Sequence, residues 1–317
     1  MLTSKTRSAK SNYQIGISMK FGISIFASTA GIQPARMGRL VEEQGFESLF
    51  VSEHTHIPVS TERPNLSANT DFPVSDETPM IYKSMYDPFV SMAAIASVTE
   101  RIKIGTAICI LPQHDVFNCS KAIATIDQLS GGRVVFGIGA GWNSPEMENH
   151  GVKFSDRFAV TRESLEAIRV LWQEDEAEYH GQHINFDPVW SWPKPIQKPG
   201  PDVLLAGAGP NILKRVVQHE AGWMPIFATE WDESLAGLQI LLDNLPDHQA
   251  ELRSLEAELG RPRTSITTMG LPPTREYIDF LLAHDVERML LTVPNEDPSV
   301  AEDILNQYAE ATAPYRS

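Results

Sequence analysis

A strand–helix–strand pattern in residues 101–142 constrains the fold more than any other stretch of this sequence. The stretch reads RIKIGTAICILPQHDVFNCSKAIATIDQLSGGRVVFGIGAGW. Residues 102–110 are apolar and β-branched and predict one buried strand, and residues 134–138 predict a second. Between them, Asn118 can cap a helix that Gly131 and Gly132 end. Two buried strands joined by a helix form a parallel unit, and such units bind ligands at the carboxyl ends of their strands.

The second of these strands runs into a glycine-rich turn, Gly139-Ala140-Gly141-Trp142. The dinucleotide-binding pattern GxGxxG needs a further glycine at position 144, where this chain has Ser144. The P-loop pattern GxxxxGK[ST] is also absent from the sequence. The residues alone therefore leave two interpretations equal. One is a ligand site, and the other is a tight turn out of the strand, in which glycine provides backbone freedom.

The alternation of strand and helix continues along the whole chain. Further strands are predicted at residues 21–26, 48–51, 203–206, 223–227, 265–269 and 288–293. Eight strand-then-helix units in 317 residues predict an α/β fold, a (β/α)8 TIM barrel, with a doubly wound sheet as the alternative. Insertion loops follow strand two, at residues 58–85, and strand four, at residues 173–201, where the pattern predicts a β-hairpin.

Short-range signals predict where individual helices begin and which side chains they bury. Pro34 opens the first helix, and Asp87 with Pro88 forms the start of another. Phe158 is expected on the inward face of the helix that begins at Asp156. Pro210 is expected in the first turn of the helix after strand five.

The first nineteen residues differ in composition from the rest. They carry Lys5, Arg7 and Lys10, no acidic residue, and no apolar core of the kind found in signal peptides. We expect residues 1–19 to form a flexible N-terminal extension and residues 20–317 to form one barrel domain.

Charge and cysteine content narrow the classes of partner. The net charge of −15 disfavours binding to the phosphate backbone of nucleic acids. No apolar run approaches the roughly 20 residues that cross a bilayer. Cys109 and Cys119 provide no disulfide framework, so we expect reduced thiols and a cytoplasmic location.

His54-Thr55-His56 follows strand two, at the end of the barrel where catalytic groups are expected. Histidine titrates near neutral pH, so His54 in a cleft would suit proton donation or removal. Two imidazoles at this spacing can also bind zinc, which makes a metal-dependent hydrolase an alternative. A zinc site needs further ligands, and the later strand ends provide mainly glycine, alanine and apolar residues.

Gly207-Ala208-Gly209-Pro210-Asn211 follows strand five and precedes a helix. Backbone N–H groups at such a place can bind a phosphate or another anion. An ordinary strand-to-helix turn explains the same residues.

Taken together, several stretches of the chain resemble the luciferase-like monooxygenase superfamily, and its bacterial F420-dependent oxidoreductase branch in particular. The stretches are IGTAICILPQHDV, LSGGRVVFGIGAGW, GVKFSDRFAVTRESLEAIRVLW, PKPIQKPGP and EAGWMP. The resemblance covers nearly all of residues 20–317. Members of this superfamily are (β/α)8 barrels that bind FMN or the deazaflavin F420.

The resemblance implies a role for each matching residue. It implies a non-prolyl cis peptide at Ala107-Ile108 behind the central ring of the flavin, and an acid/base role for His54. The residues that it implies at the cofactor are Glu53, Ala107, Ile108, Gly139, Ala140, Gly141, Trp142, Gly207, Ala208, Gly209 and Asn211. The last four of these resemble the turn on the phosphate side of the cofactor.

The chain departs from the F420-dependent sugar-phosphate dehydrogenases of this superfamily at two positions. Those enzymes carry a glutamate directly after the glycine-rich turn, where this chain has Trp142. The aromatic residue that they place shortly after the histidine corresponds here to about Pro58. We therefore expect only the histidine part of that mechanism, with Trp142 as an apolar wall for a small organic substrate.

The resemblance implies an oxidoreductase that transfers a hydride between F420 and a small organic molecule. One alternative is an FMNH2-dependent monooxygenase with two components, which would need a flavin reductase as its partner. Another is a flavin-binding protein without turnover. A homodimer is also implied, since relatives are commonly dimers.

Overall fold

Strands and helices alternate along the chain in this computed structural model, which describes residues 19–59, 80–227, 242–294 and 297–316. The elements in these ranges are β1 (Lys20–Ile25), α1 (Pro34–Glu43), β2 (Ser48–Val51), α2 (Met80–Lys83), α3 (Pro88–Ala96), β3 (Lys103–Thr106), β4 (Cys109–Ile110), α4 (Val116–Ser130), β5 (Val134–Gly139), α5 (Ser144–Asn149), α6 (Arg157–Gln173), β6 (Ala177–His180), β7 (Asn185–Val189), β8 (Asp202–Ala206), α7 (Ile212–Gln218), β9 (Gly222–Met224), α8 (Leu245–Leu259), β10 (Thr267–Met269), α9 (Arg275–Ala283), β11 (Arg288–Val293) and α10 (Pro298–Thr312).

The main sheet is parallel and closes into a barrel. Its strands follow the order β10, β11, β1, β2, β3, β5, β8 and β9. The remaining gap is bridged by backbone hydrogen bonds, since the amide of Trp223 donates to Ser265 (2.8 Å) and that of Phe227 to Met269 (2.7 Å). The predicted (β/α)8 barrel is therefore confirmed, and the doubly wound alternative is wrong.

Large side chains from several strands fill the inside of the barrel. Phe50, Val135, Leu204, Met224 and Leu290 form one buried cluster there. Each such side chain contributes about 1.5–3 kcal/mol when it leaves water. Gly105 is needed beside them, because a Cβ at that position would lie 2.5 Å from the ring of Phe50.

An ion pair lies at the amino-terminal ends of the strands. Arg288, at the start of β11, donates two hydrogen bonds to Glu47, which directly precedes β2 (2.8 and 2.9 Å). Burial acts to raise the pKa of Glu47, but the hydrogen bond and charge of Arg288 outweigh it and hold that pKa below its usual value. Sites in barrels of this kind form at the opposite end, where the strands have their carboxyl termini.

The start of α4 differs from the prediction. Asp115, and not Asn118, is the N-cap, and its side chain accepts a hydrogen bond from the amide of Asn118 (2.9 Å). The helix starts earlier because aspartate accepts well at this position, three residues ahead of the amide that it caps. Asp87 is the N-cap of α3 and Pro34 is the first residue of α1, as predicted.

Two further details of the helices also differ. The side chain of Phe158 is 43% exposed and does not face the core. The guanidinium groups of Arg157 and Arg215 lie 4.3 and 4.2 Å from the centroid of its ring, so cation–π contacts hold it at the surface. Pro210 precedes α7, which begins only at Ile212.

The strand predicted at residues 102–110 is two strands. β3 pairs with both β2 and β5, whereas β4 pairs with β5 alone, through Cys109 and Ile110. Between them, at Ala107-Ile108, the peptide bond is cis. The chain therefore leaves the ladder after Thr106 and rejoins it at Cys109, which a pattern of apolar residues does not indicate.

The two insertions lie where the sequence predicts them, so far as they are described. The second contains the predicted antiparallel hairpin, β6 and β7. The first contains the short helix α2, and its residues 60–79 lie outside the described ranges. The expectation for residues 1–18 also falls outside these ranges. Among the helices that are described, none is both long and apolar enough to cross a membrane.

Candidate functional site

Several loops meet at the carboxyl-terminal rim of the barrel. Because the strands are parallel, the residues after β2, β3, β5 and β8 lie at the same end. The predicted site residues lie at the ends of these four strands or just after them: Glu53 and His54; Ala107 and Ile108; Gly139, Ala140, Gly141 and Trp142; and Gly207, Ala208, Gly209 and Asn211. The fold thus brings all of them to one rim.

His54 is buried at this rim and is paired with a carboxylate. Its Nδ1 atom lies 2.7 Å from Oε2 of Glu146, and the two side chains are 5% and 0% exposed. The other oxygen of Glu146 accepts a hydrogen bond from the backbone amide of Thr55 (3.1 Å). Since the ionised carboxylate only accepts, Nδ1 of His54 donates, and Nε2 forms no hydrogen bond with another described residue.

Glu146 was missed by the sequence reasoning. It lies in the first turn of α5, the short helix that follows the glycine-rich turn. A signal was present, since Pro145 occupies the start of that helix and places the next side chain in its first turn. The carboxylate that contacts His54 therefore belongs to position 146. It is not directly after the glycine-rich turn, where this chain has Trp142.

Two aromatic rings border His54. The ring of Trp142 lies 5.5 Å from the imidazole and that of Tyr82 lies 5.4 Å from it, both edge to face. Tyr82, in α2, was also missed, because nothing in its loop indicates a helix. Burial raises the pKa of Tyr82, so its hydroxyl stays protonated near neutral pH. The imidazole thus contacts a carboxylate and two aromatic rings.

Glu53 is held inside the protein. Its Oε2 accepts from the amide of Ile110 (2.6 Å) and its Oε1 from Nε2 of His114 (2.7 Å). Burial acts to lower the pKa of His114, but the hydrogen bond and charge of Glu53 raise it to about 9. Glu53 and His114 therefore form an ion pair that fixes β4 behind the rim.

The Ala107-Ile108 peptide bond is cis, as the resemblance implies. The carbonyl of Ala107 accepts a hydrogen bond from the hydroxyl of Ser52 (2.8 Å). Across from it, a Cβ at Gly139 would lie 2.5 Å from Cδ1 of Ile108. Gly141 has a positive φ of 74°, which favours glycine. The turn after β5 therefore packs directly against the segment that contains the cis bond.

The turn after β8 leaves backbone donors available. The φ of Gly207 is 141°, and its carbonyl accepts from Nε1 of Trp223 (3.0 Å). The amides of Ala208 and Gly209 donate to no other described residue, and a Cβ at Gly209 would meet nothing within 4 Å. Since α7 has only seven residues, these open amides, rather than the helix dipole, are what an anion would meet.

The two histidines of the H-x-H pattern do not converge. His54 contacts Glu146, whereas His56 contacts Thr55 and Asn149. In the described part of the chain, one group of three potential metal ligands lies within 4.8 Å: Glu53, Cys109 and His114. Within this group Glu53 and His114 are the ion pair described above, and burial raises the pKa of the Cys109 thiol well above its usual value.

Comparison with known proteins gives the site a family context. Residues 19–241 match the family described as luciferase-like monooxygenase. An uncharacterized protein of Mycobacterium tuberculosis is 40% identical over 206 residues, which are 65% of this chain and 72% of that protein. An F420-dependent glucose-6-phosphate dehydrogenase of Nocardia farcinica is 28% identical over 73% of this chain and 60% of its own length.

One further relative depends on FMNH2, and two solved structures are similar to this chain in fold. An FMNH2-dependent dimethylsulfone monooxygenase of Pseudomonas putida is 30% identical over 36% of this chain and 32% of its own. The crystal structure of the monooxygenase RslO1 from Streptomyces bottropensis aligns with a TM-score of 0.74 at 18% identity, covering 94% of this chain and 99% of that one. An F420-dependent secondary alcohol dehydrogenase, in complex with an F420-acetone adduct, aligns with a TM-score of 0.68 at 15% identity, covering 93% and 99%. The match over most of the chain shows that this protein belongs to the luciferase-like monooxygenase family.

Proposed function

We propose that this chain is an F420-dependent oxidoreductase that transfers a hydride between the deazaflavin and a small organic substrate. The observation that carries the proposal is the buried pair of His54 and Glu146, which leaves Nε2 of His54 free of hydrogen bonds to described residues. An imidazole held in this way can take up or release a proton at one defined atom. Interconversion of an alcohol and a carbonyl needs such a group next to the hydride carrier.

The residues at the rim fit a flavin-type group. The open amides of Ala208 and Gly209, with Asn211 beside them, are suited to a phosphate. The segment Ala107-Ile108 and the turn Gly139-Ala140-Gly141 would form the wall behind and beside the flat ring. Glu53 would act on this wall indirectly, because both of its carboxylate oxygens are used inside the protein.

The catalytic role of the chain's own residues follows from their contacts. F420, when bound, supplies a carbon that accepts or donates a hydride. His54 would hold the proton that accompanies this transfer at Nε2. Glu146 fixes the orientation of the imidazole through Nδ1, and it stabilises the positive charge that arises when Nε2 is protonated. Trp142 and Tyr82 would exclude water and give the substrate an apolar wall.

Monooxygenation with FMNH2 is the second candidate function. It is favoured by the relative from Pseudomonas putida, which is FMNH2-dependent. In that case we expect a separate flavin reductase as partner. A flavin-binding protein without turnover is the third reading, in which replacing His54 would alter nothing beyond affinity. For each of the three we propose a cytoplasmic homodimer.

Paired titrations test the proposal. Purified protein would be titrated with F420 and with FMN, each in oxidised and reduced form, and binding followed by calorimetry. We expect F420 to bind more tightly than FMN. Preference for reduced FMN would replace the proposal by the monooxygenase. Binding of neither below roughly 1 mM would overturn both assignments.

A further inference from the structure

A chain of hydrogen bonds leads from His54 to the surface. Glu146 bonds to His54 through Oε2 (2.7 Å) and faces the hydroxyl of Thr55 through Oε1 (3.4 Å). That hydroxyl lies 2.8 Å from Nε2 of His150 and 2.9 Å from Nδ1 of His56. Thr55 and His150 are exposed, whereas His54 and Glu146 are buried. A continuous path of titratable and hydroxyl groups therefore connects the imidazole in the cleft with solvent.

The donors along this path can be assigned. The side-chain amide of Asn149 lies 2.9 Å from Nε2 of His56 and must donate to it, so the proton of a neutral His56 is on Nδ1. The Nδ1 proton then points to the hydroxyl of Thr55. A hydroxyl has one proton, and the carboxylate of Glu146 can only accept it. At rest, the bonds thus run from His56 through Thr55 to Glu146.

His150 supplies a second entry to the same hydroxyl. Burial is the main cause that lowers the pKa of His150, and the neighbouring charge of His56 lowers it further. Glu146 and Glu53 act in the opposite direction, and His114 in the same direction as His56. His150 is therefore mainly neutral near pH 7, so that it can both take up a proton from water and release one.

We propose that Glu146, Thr55 and His150 form a proton relay that exchanges the proton of His54 with solvent, with His56 as a second entry. In the outward direction Nε2 of His54 has taken up a proton, and the charged imidazole gives its Nδ1 proton to Oε2 of Glu146. The neutral carboxyl group then turns so that this O–H meets the hydroxyl of Thr55, which accepts the proton and passes its own proton to Nε2 of a His150 whose proton is on Nδ1. His150 gives its Nδ1 proton to water, which leaves His54 neutral with its proton on Nε2, and the reverse order carries a proton inward.

The relay has a clear purpose if the proposed function is correct, on which this role in catalysis rests. A cofactor and a substrate at the rim would cover Nε2 of His54, and Trp142 and Tyr82 already border its ring. The positive charge that His54 gains when Nε2 takes up a proton would then have to be discharged from the Nδ1 side. The contact of Glu146 with the hydroxyl of Thr55 connects the Nδ1 side of His54 to solvent.

Proton exchange at His54 can be measured by NMR on the protein without cofactor. The protein is labelled with ¹⁵N-histidine, the Nδ1–H signal of His54 is assigned by its loss in His54→Gln, and its exchange with water is followed by saturation transfer. Thr55→Val removes the hydroxyl at an exposed position, and Thr55→Ser keeps it. Thr125→Val, another threonine whose hydroxyl bonds only to the carbonyl of Lys121, is the matched control.

Thr55→Val is expected to slow the exchange at least about tenfold, the change that about 1.4 kcal/mol in a barrier produces. In Thr55→Ser and Thr125→Val, the Nδ1–H of His54 should exchange as fast as in the unchanged protein. In the double variant His56→Gln with His150→Gln, it should exchange as slowly as in Thr55→Val. The N–H of His114, which bonds to Glu53, serves as an internal reference. Equal exchange at His54 in Thr55→Val and the unchanged protein would overturn the relay, as would equal slowing at His114. Because no cofactor is present, this result is independent of the titrations that test the proposed function.

Discussion

The Nδ1 atom of His54 and the Oε2 atom of Glu146 lie 2.7 Å apart, and both side chains are almost completely buried. His54 follows β2, whereas Glu146 lies in α5, 92 positions further along the chain. The barrel brings them together because β2 and β5 end at the same rim. This contact fixes one nitrogen of the imidazole and leaves the other without a hydrogen bond to any residue in the described ranges, so it decides what His54 can do.

Glu146→Gln tests whether this pair holds the rim together. We expect it to lower the free energy of unfolding by about 2 kcal/mol, because Nδ1 of His54 and the amide of Thr55 lose a shared anionic acceptor. Urea denaturation measures the change. Glu148→Gln, two residues away and exposed, should leave stability within about 0.5 kcal/mol of the unchanged protein. Equal stability of both variants would contradict the assigned role of Glu146.

His114→Gln tests the ion pair with Glu53 through the pH dependence of stability. The folded-state pKa of about 9 is above the usual 6.5, so the stabilisation is complete below pH 6.5 and is lost as the pH rises toward 9. We expect the unchanged protein to lose about 3 kcal/mol of unfolding free energy over this window through His114. Urea denaturation between pH 6 and about 9.5 should show a smaller loss in His114→Gln. His180→Gln, at an exposed position, should keep the full slope.

Gly139→Ala tests the wall between the glycine-rich turn and Ile108. The new Cβ would lie 2.5 Å from Cδ1 of Ile108, so that flexible end must move. We expect the variant to fold and to bind the cofactor about tenfold more weakly, since the displaced side chain alters the wall. Ile108→Val removes Cδ1, and the next atom, at 3.4 Å, is in ordinary contact. The double variant should therefore regain much of the affinity, and no recovery would show that Ile108 is not the cause.

Trp142→Phe tests whether Trp142 borders the bound cofactor. A flavin-type ring close to an indole quenches its fluorescence, so a cofactor titration should quench tryptophan emission in the unchanged protein. We expect Trp142→Phe to lose most of this quenching. Trp190→Phe, which changes a 79% exposed side chain in the hairpin, should keep it. Equal quenching in both variants would place the cofactor away from Trp142.

Local sequence signals were enough for the architecture. The eight strands are short and apolar, and residues at helix starts, such as the cap Asp87 and the first-turn proline Pro34, mark the helices between them, so order and type could be derived residue by residue. The break at Ala107-Ile108 could not, because residues 102–110 have the same apolar pattern on both sides of it. Only the family resemblance indicated the cis peptide there.

The sequence predicted which loops form the site, but it did not predict which side chains of those loops contact one another. His54 and the glycine-rich turns carry signals of their own. Glu146 and Tyr82 gain their role only through contact with His54, and a single sequence contains no information on which residues meet across the barrel. Phe158 shows the same limit for packing, since its exposed position depends on two arginines, one of them in another helix.

A structure of the protein with bound F420 tests the central claim most directly. The account predicts that the deazaflavin lies against Ala107 and Ile108, with its hydride-carrying carbon facing the side of the cleft where Nε2 of His54 is available. It also predicts the phosphate within hydrogen-bond reach, about 2.7–3.2 Å, of the amides of Ala208 and Gly209. A cofactor bound elsewhere, or one whose reactive carbon faces away from His54, would contradict the assignment of His54 as the proton-transferring residue.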